Sequence, residues 1–278
     1  MKRLVMKNPC LIAPLAFAGL VSVQTGLVAQ EPSTETLTKS VQNPVASLIS
    51  VPFQDNANFA IGPYGRIQNI LNVQPVIPME LNGSWNLITR IIVPFIFQPQ
   101  IATPSLGTSG LGDLNPTFFF SPAKAGRIIW GAGPTFSLRT ETSSALGNGK
   151  WGSGPSIVVL TQPKHWTLGV LANNIWSFAG DQNRRDVNSL LLQYFVNYNL
   201  KEGWYLTSQP IVTADWKAPS GQRWVAPFGG GFGRVFRIGN QPINGQVAAY
   251  YNSIRPDEAA YPGWSVRFQI ALLYPKPK

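Results

Sequence analysis

From residue 45 to residue 274 the chain repeats one pattern: segments of about ten to fifteen residues whose side chains alternate between two faces, divided by turn residues. Segment 84–98 shows it best, with Trp85, Leu87, Ile91, Val93, Phe95 and Phe97 on one face and Asn86, Ile88, Arg90 and Ile92 on the other. Segment 264–274 sets Trp264, Val266, Phe268, Ile270, Leu272 and Tyr274 against Ser265, Arg267 and Gln269. Further segments fall near 45–54, 67–79, 111–121, 128–139, 151–162, 166–178, 190–199, 204–216, 223–236 and 243–252. A period of two belongs to strands, because successive side chains of an extended backbone point to opposite sides. The fold class expected is therefore all-β, with about twelve antiparallel strands. In 151–162 both faces are mixed, so its orientation stays open.

Composition separates a membrane sheet from a soluble one. Charged residues make up only 12% of the chain and aromatics another 12%, where a soluble domain carries about a quarter charged residues. Mean hydropathy is +0.02, so the missing charge is not replaced by long apolar runs. Polar and apolar residues are finely mixed, as when alternate residues face lipid and water. Lys2, Arg3 and Lys7 precede an apolar stretch from Leu11 to Val23, and Leu27-Val28-Ala29 supplies a small-residue cleavage site. Residues 1–29 are accordingly expected to be a signal peptide, the apolar run being too short for an anchor. The single cysteine, Cys10, falls inside it. Without the leader, 19 basic residues against 12 acidic ones leave a charge of +7. These charges are scattered rather than clustered, which favours anionic lipid headgroups or solutes over nucleic acid. Residues 30–44 are polar and aperiodic, expected to form a flexible periplasmic arm in preference to a lumen plug.

Connection lengths and tryptophan positions choose among sheet architectures. Short connections at 81–83, 122–126, 163–164, 201–203 and 237–242 alternate with longer ones at 55–66, 99–110, 140–150, 179–187, 217–222 and 253–263. That parity suits an up-and-down transmembrane barrel with tight periplasmic turns and longer outer loops, and a Greek-key sandwich has no reason to keep it. Trp85, Trp130, Trp166 and Trp204 lie beside short turns; Trp151, Trp176, Trp216, Trp224 and Trp264 lie beside long ones. Two levels of tryptophan are the mark of two membrane interfaces. The expected organisation is a barrel over 45–274 with a polar lumen and a short tail at 275–278, placed in the bacterial outer membrane among its lipids and delivered by the barrel assembly machinery.

With the strands laid out, several stretches resemble a family of bacterial outer-membrane β-barrels described as transporters and often labelled neuromedin U. They also resemble the broader barrel group named for the MetA phenol-degradation pathway. The stretches are Asn43-Pro44-Val45-Ala46-Ser47-Leu48-Ile49-Ser50-Val51-Pro52-Phe53-Gln54, Gly110-Leu111-Gly112-Asp113-Leu114-Asn115-Pro116, Trp130-Gly131-Ala132-Gly133-Pro134-Thr135-Phe136 and Asn173-Asn174-Ile175-Trp176-Ser177-Phe178-Ala179-Gly180-Asp181. The resemblance implies transport, brings no catalytic residues and does not supply a solute. Tyr274 is followed by Pro275-Lys276-Pro277-Lys278, a departure from the terminal aromatic that assembly machinery reads.

Chemistry-bearing residues are sparse. His165 is the only histidine and falls on an expected periplasmic turn, the wrong end for an outer-membrane lipase, so no catalytic residues are assigned. One histidine and no cysteine after the leader leave no metal set and no cofactor to expect. Asp181 and Asp186 flank Arg184 and Arg185, and Asp257 and Glu258 lie in another outer loop; solvated loops are the expectation for both. Inward parity selects Arg90, Asp113, Arg139, Gln193, Asp215, Gln246 and Arg267 as pore-lining candidates, the arginines facing the aspartates. Ile88, Ile92, Phe119 and Phe195 share that face, as a constriction or a slot for an apolar solute. The expected function is passive passage of a small, hydrophobic or aromatic solute. The alternative is a closed structural or surface-interaction barrel.

Overall fold

The computed structural model describes residues 32–101, 103, 105–256 and 261–275. The expected signal peptide and residues 276–278 of the expected tail lie outside them. Twelve antiparallel strands close on themselves: β1 Leu48–Ile61, β2 Arg66–Val73 continued by Val76–Asn82, β3 Trp85–Gln98 and β4 Thr108–Leu111 continued by Asn115–Pro122. Next come β5 Ile128–Ser137, β6 Lys150–Thr161, β7 Trp166–Gly180 and β8 Asn188–Asn199. The circuit ends with β9 Trp204–Ser208 continued by Ile211–Asp215, β10 Trp224–Ile238, β11 Gln241–Ile254 and β12 Trp264–Pro275. Each strand pairs with its sequence neighbours, and β12 returns to β1 from Leu48↔Pro275 to Phe59↔Trp264. Among the described residues every strand has a neighbour on both sides, the condition for a sheet to stand in lipid.

Two of the three interruptions have a common cause. β2 breaks at Gln74-Pro75 and β9 at Gln209-Pro210, where proline cannot donate to a ladder. Connections on the side of the chain termini are tight, Gly83-Ser84 and Gly239-Asn240 among them, and most on the other side are longer, such as 138–149 and 255–263. One expectation fails here. Instead of a loop from 55 to 66, β1 runs on to Ile61 and turns within 62–65. Asn56 and Asn58 have the look of loop residues but face the lumen, where Asn56 accepts from Arg267 and Asn58 donates to Gln68.

The outer wall is apolar and the interior mostly polar. All nine tryptophans are exposed, as are Phe95, Phe97, Phe232, Phe268 and Ile270. In water so much aromatic surface would drive aggregation, whereas in a bilayer it is matched to its solvent. Trp85 and Trp130 meet edge to face at 5.8 Å near the tight turns, and Trp216 and Trp224 at 5.5 Å near the outer loops. The chain is a transmembrane β-barrel of the outer membrane. Strand β6 resolves its open orientation: Ser156, Val158 and Leu160 are buried inside, while Trp151 and Ile157 face out.

The expected flexible arm is corrected. Residues Thr34–Val41 form a helix, α1, capped by Ser33 Oγ, which accepts from the Thr36 amide at 3.2 Å. Leu37, 2% exposed, packs with Leu48, Val235, Ala271 and Leu273 inside the end of the barrel near the termini. Gln42 Nε2 donates to Asn199 Oδ1 at 2.8 Å, and Gln162 Nε2 donates to the Lys39 carbonyl at 2.8 Å. Beyond the helix, Val45 enters a second apolar cluster with Ile88, Phe119, Val158, Leu160, Leu171 and Phe195. Burial of Leu37 and Val45, which need the barrel to cover them, holds the segment as a plug.

Candidate functional site: the lumen and its thin wall

Above the Val45 cluster the interior opens into two small chambers of about 120 and 90 Å³. The first lies between the plug and β1, β2, β8 and β9; the second is bordered by Asn115, Thr117, Phe119, Ser156, Leu171 and Asn173. Gln54, Gln74, Arg90 and Gln193 border both. Arg90 Nη2 donates to Gln74 Oε1 at 2.6 Å, so the side chain at the first strand break holds this guanidinium. At the second break the Gln209 carbonyl accepts from Arg267 Nη1 at 3.1 Å. Arg267 Nε donates to Asn56 Oδ1 at 3.1 Å, and its guanidinium lies 5.0 Å from the centre of the Tyr250 ring. Gln246 accepts from the Tyr205 hydroxyl at 3.2 Å.

The expected pairing of arginines with aspartates does not occur. Arg90 and Arg267 bond neutral oxygens, while the acids lie higher, around the outer mouth. Asp215 pairs with Arg185 of the outer loop 181–187, and Arg139 lies 3.6 Å from Glu141. Asp113 accepts from the Asn148 amide at 2.7 Å. The Leu114↔Leu138 bridge and the Ser137↔Gly152 pairing place Asp113 level with Lys150, one residue beyond Trp151 and so outside the aromatic level. Burial, then a hydrogen bond with Glu141, pushes the Asp113 carboxyl up to about 6. Parity assigns a side chain to the lumen but not to a height along it. His165 lies on the turn 162–165, its ring 6.1 Å from that of Tyr198. Among the described residues no group of three or more His, Cys, Asp or Glu is placed to hold a metal.

A feature that alternation did not reveal lies in the wall. Pro134 of β5 stands opposite Pro155 of β6, each preceded by glycine. On the far side of β5, β4 pairs with it only at Thr117↔Thr135 and Phe120↔Ala132. On the far side of β6, the pairing with β7 skips Gly154 and Pro155. The strands still touch through backbone: a Cβ on Gly154 would overlap the Asn174 carbonyl oxygen, and one on Gly133 the Phe118 carbonyl oxygen. Outside lies an apolar depression bordered by Ala132, Pro134, Phe136, Pro155, Ile157 and Leu190. Ser156 and Asn173 border this depression and also the inner chamber. The repeated Gly-x-Gly-Pro at 131–134 and 152–155 was the available signal.

No family model matches the sequence, and no curated relative does. Solved structures do resemble the fold. The COG4313 outer membrane channel from Pseudomonas putida F1 aligns at a TM-score of 0.59 and 14% identity, covering 82% of this chain and 94% of that one. The NanC porin aligns at 0.51 and 9% identity, covering 82% of this chain and all of that one (100%). At these identities the likeness is one of fold: both neighbours are outer-membrane barrels.

Proposed function

We propose that the protein is a channel for passive passage of a small hydrophobic or aromatic solute across the outer membrane, without catalysis. The observation that carries this reading is the wall at Gly133-Pro134 and Gly154-Pro155, where Ser156 and Asn173 border both the lumen and an apolar depression facing lipid. A straight axial path is obstructed by α1 and Val45. An apolar solute would instead exchange between the membrane side and the chamber where the ladder lapses. That interruption lowers the cost of parting β6 from β7, since bonds that prolines do not make need not be broken. The neighbours described as an outer membrane channel and a porin support this class of function.

A reversible staple tests the wall route. Ser156→Cys with Asn173→Cys places thiols on a directly opposed pair of β6 and β7 beside the gap and leaves both prolines in place. Uptake of toluene into proteoliposomes should fall several-fold on oxidation and recover with dithiothreitol. Unchanged uptake in the oxidised form would exclude the wall route. Absence of uptake in the unstapled protein would leave the closed structural barrel, which the plugged lumen favours.

A further inference from the structure

The geometry points to a carboxylate-binding site in the lumen, built on Arg90 and Arg267 and suited to a small organic anion with an aromatic or aliphatic body. This rests on the channel reading and names a solute class for it, a carboxylic acid that crosses the apolar wall in its neutral form and ionises at the arginines.

Charge supplies the first observation. A guanidinium carries a permanent positive charge and five N–H donors, and enclosing one away from bulk water is costly without a counter-charge. Arg267 is 6% exposed, and Arg90, half-buried, borders both inner chambers. Among the described residues neither has a carboxylate partner: all their acceptors are neutral, namely Gln74 Oε1, Asn56 Oδ1 and the Gln209 carbonyl. Elsewhere the chain pairs its charges readily, with Lys150 on Asp186 at 3.0 Å and Arg185 on Asp215. The two lumenal cations are therefore set apart from the acids of the mouth. Gln209 links them, its side chain bordering the chamber of Arg90 and its carbonyl holding Arg267.

The second observation is a surplus of donors. Ser156 is 3% exposed and its hydroxyl has no protein partner, although it borders the same chamber as Arg90. The Gln246 side-chain amide also has no protein acceptor, and the Tyr250 ring lies under the Arg267 guanidinium. Buried donors without acceptors are destabilising, and an oxygen-rich anion would relieve that.

The third is the amphipathic lining. The 90 Å³ chamber that Arg90 borders is also walled by Ile92, Phe119, Leu171, Leu191 and Ile211. Inorganic anions have nothing to offer these groups. A carboxylate on a small apolar body matches both halves, its two oxygens meeting the planar fork of a guanidinium.

Calorimetric titration of the purified full-length protein in detergent tests this, using benzoate, benzyl alcohol and inorganic phosphate as probes. Benzoate should bind at least tenfold more tightly than either of the others. Arg90→Gln should weaken benzoate at least tenfold, Arg90→Lys, which keeps the charge but not the fork, should weaken it severalfold but less than Arg90→Gln, and benzyl alcohol should not distinguish the variants. Arg267→Gln serves as a second probe should Arg90→Gln fail to fold. Benzyl alcohol or phosphate equal to benzoate in the native protein, or benzoate binding indifferent to both glutamine variants, would overturn the site. Toluene uptake into proteoliposomes reads the channel separately. Uptake without benzoate binding removes the site and keeps the channel; binding without toluene or benzoate uptake removes the channel and keeps the site.

Discussion

Pro134 and Pro155 face each other across β5 and β6, two residues without N–H groups at one rung of the barrel wall. The ladders on the outer sides of both strands lapse at that rung. Replacing Pro155 with valine restores a donor beside β7 and a residue that favours extended backbone. One net hydrogen bond contributes about 1 kcal/mol. Thermal unfolding of Pro155→Val in detergent should shift upward, while toluene flux falls. Higher stability with unchanged flux would separate the wall defect from transport.

The plug gives a second expectation. Leu37 and Val45 anchor the segment in two apolar clusters, and the strands that surround it pair without its help. Deleting residues 33–46 should leave the barrel folded and raise single-channel conductance several-fold in planar bilayers. Leu37→Ala, a change that costs about 2–5 kcal/mol in a well-packed core, should release the helix and give intermittent openings. Conductance unchanged by the deletion would mean that the chambers themselves close the lumen.

Much of this architecture is legible in the chain because a barrel writes its geometry as parity. Trp264, Phe268 and Ile270 alternate with Arg267 and Gln269 in the sequence and on the wall alike. Parity fails where polar residues fall on the lumenal face near a strand end, so Asn56 and Asn58 look like loop. It also carries no height, so Arg90 and Asp113 share a face without meeting. The plug escaped for a different reason. Ser33 at a cap position and Leu37 and Val41 four apart do spell a one-sided turn of helix. Such a short polar helix has no stability alone, and only the barrel end makes it form.

The lipid-facing belt can be tested at adjacent residues. Phe268 is 54% exposed on the outer wall, while Gln269 borders the inner chamber. Phe268→Arg places a charge in hydrocarbon at a cost of about 2–4 kcal/mol near the midplane. It should lower the yield of refolded barrel in lipid vesicles, whereas Gln269→Arg should fold normally. Equal yields would reverse the assignment of faces.

The carboxyl pair at the outer mouth should make loop 138–149 sensitive to pH. Asp113 Oδ1 and Glu141 Oε2 are buried and lack any other partner, so one proton held between them satisfies both. With the Asp113 carboxyl raised to about 6 by burial and by Glu141, the folded state binds this proton more tightly than the unfolded chain. Its contribution is complete below the ordinary aspartate range and is lost as pH rises through about 6. Above that, two carboxylates repel across the base of loop 138–149, where Asp113 also holds the Asn148 amide. Hydrogen exchange in residues 140–149 should therefore be slower at pH 5 than at pH 7.5, after correction for intrinsic rates. Asp113→Asn keeps an acceptor for Asn148 and a donor toward Glu141 at either pH. That variant should hold the loop equally well at both. If its exchange remains as pH-dependent as that of the native chain, the proton responsible lies elsewhere.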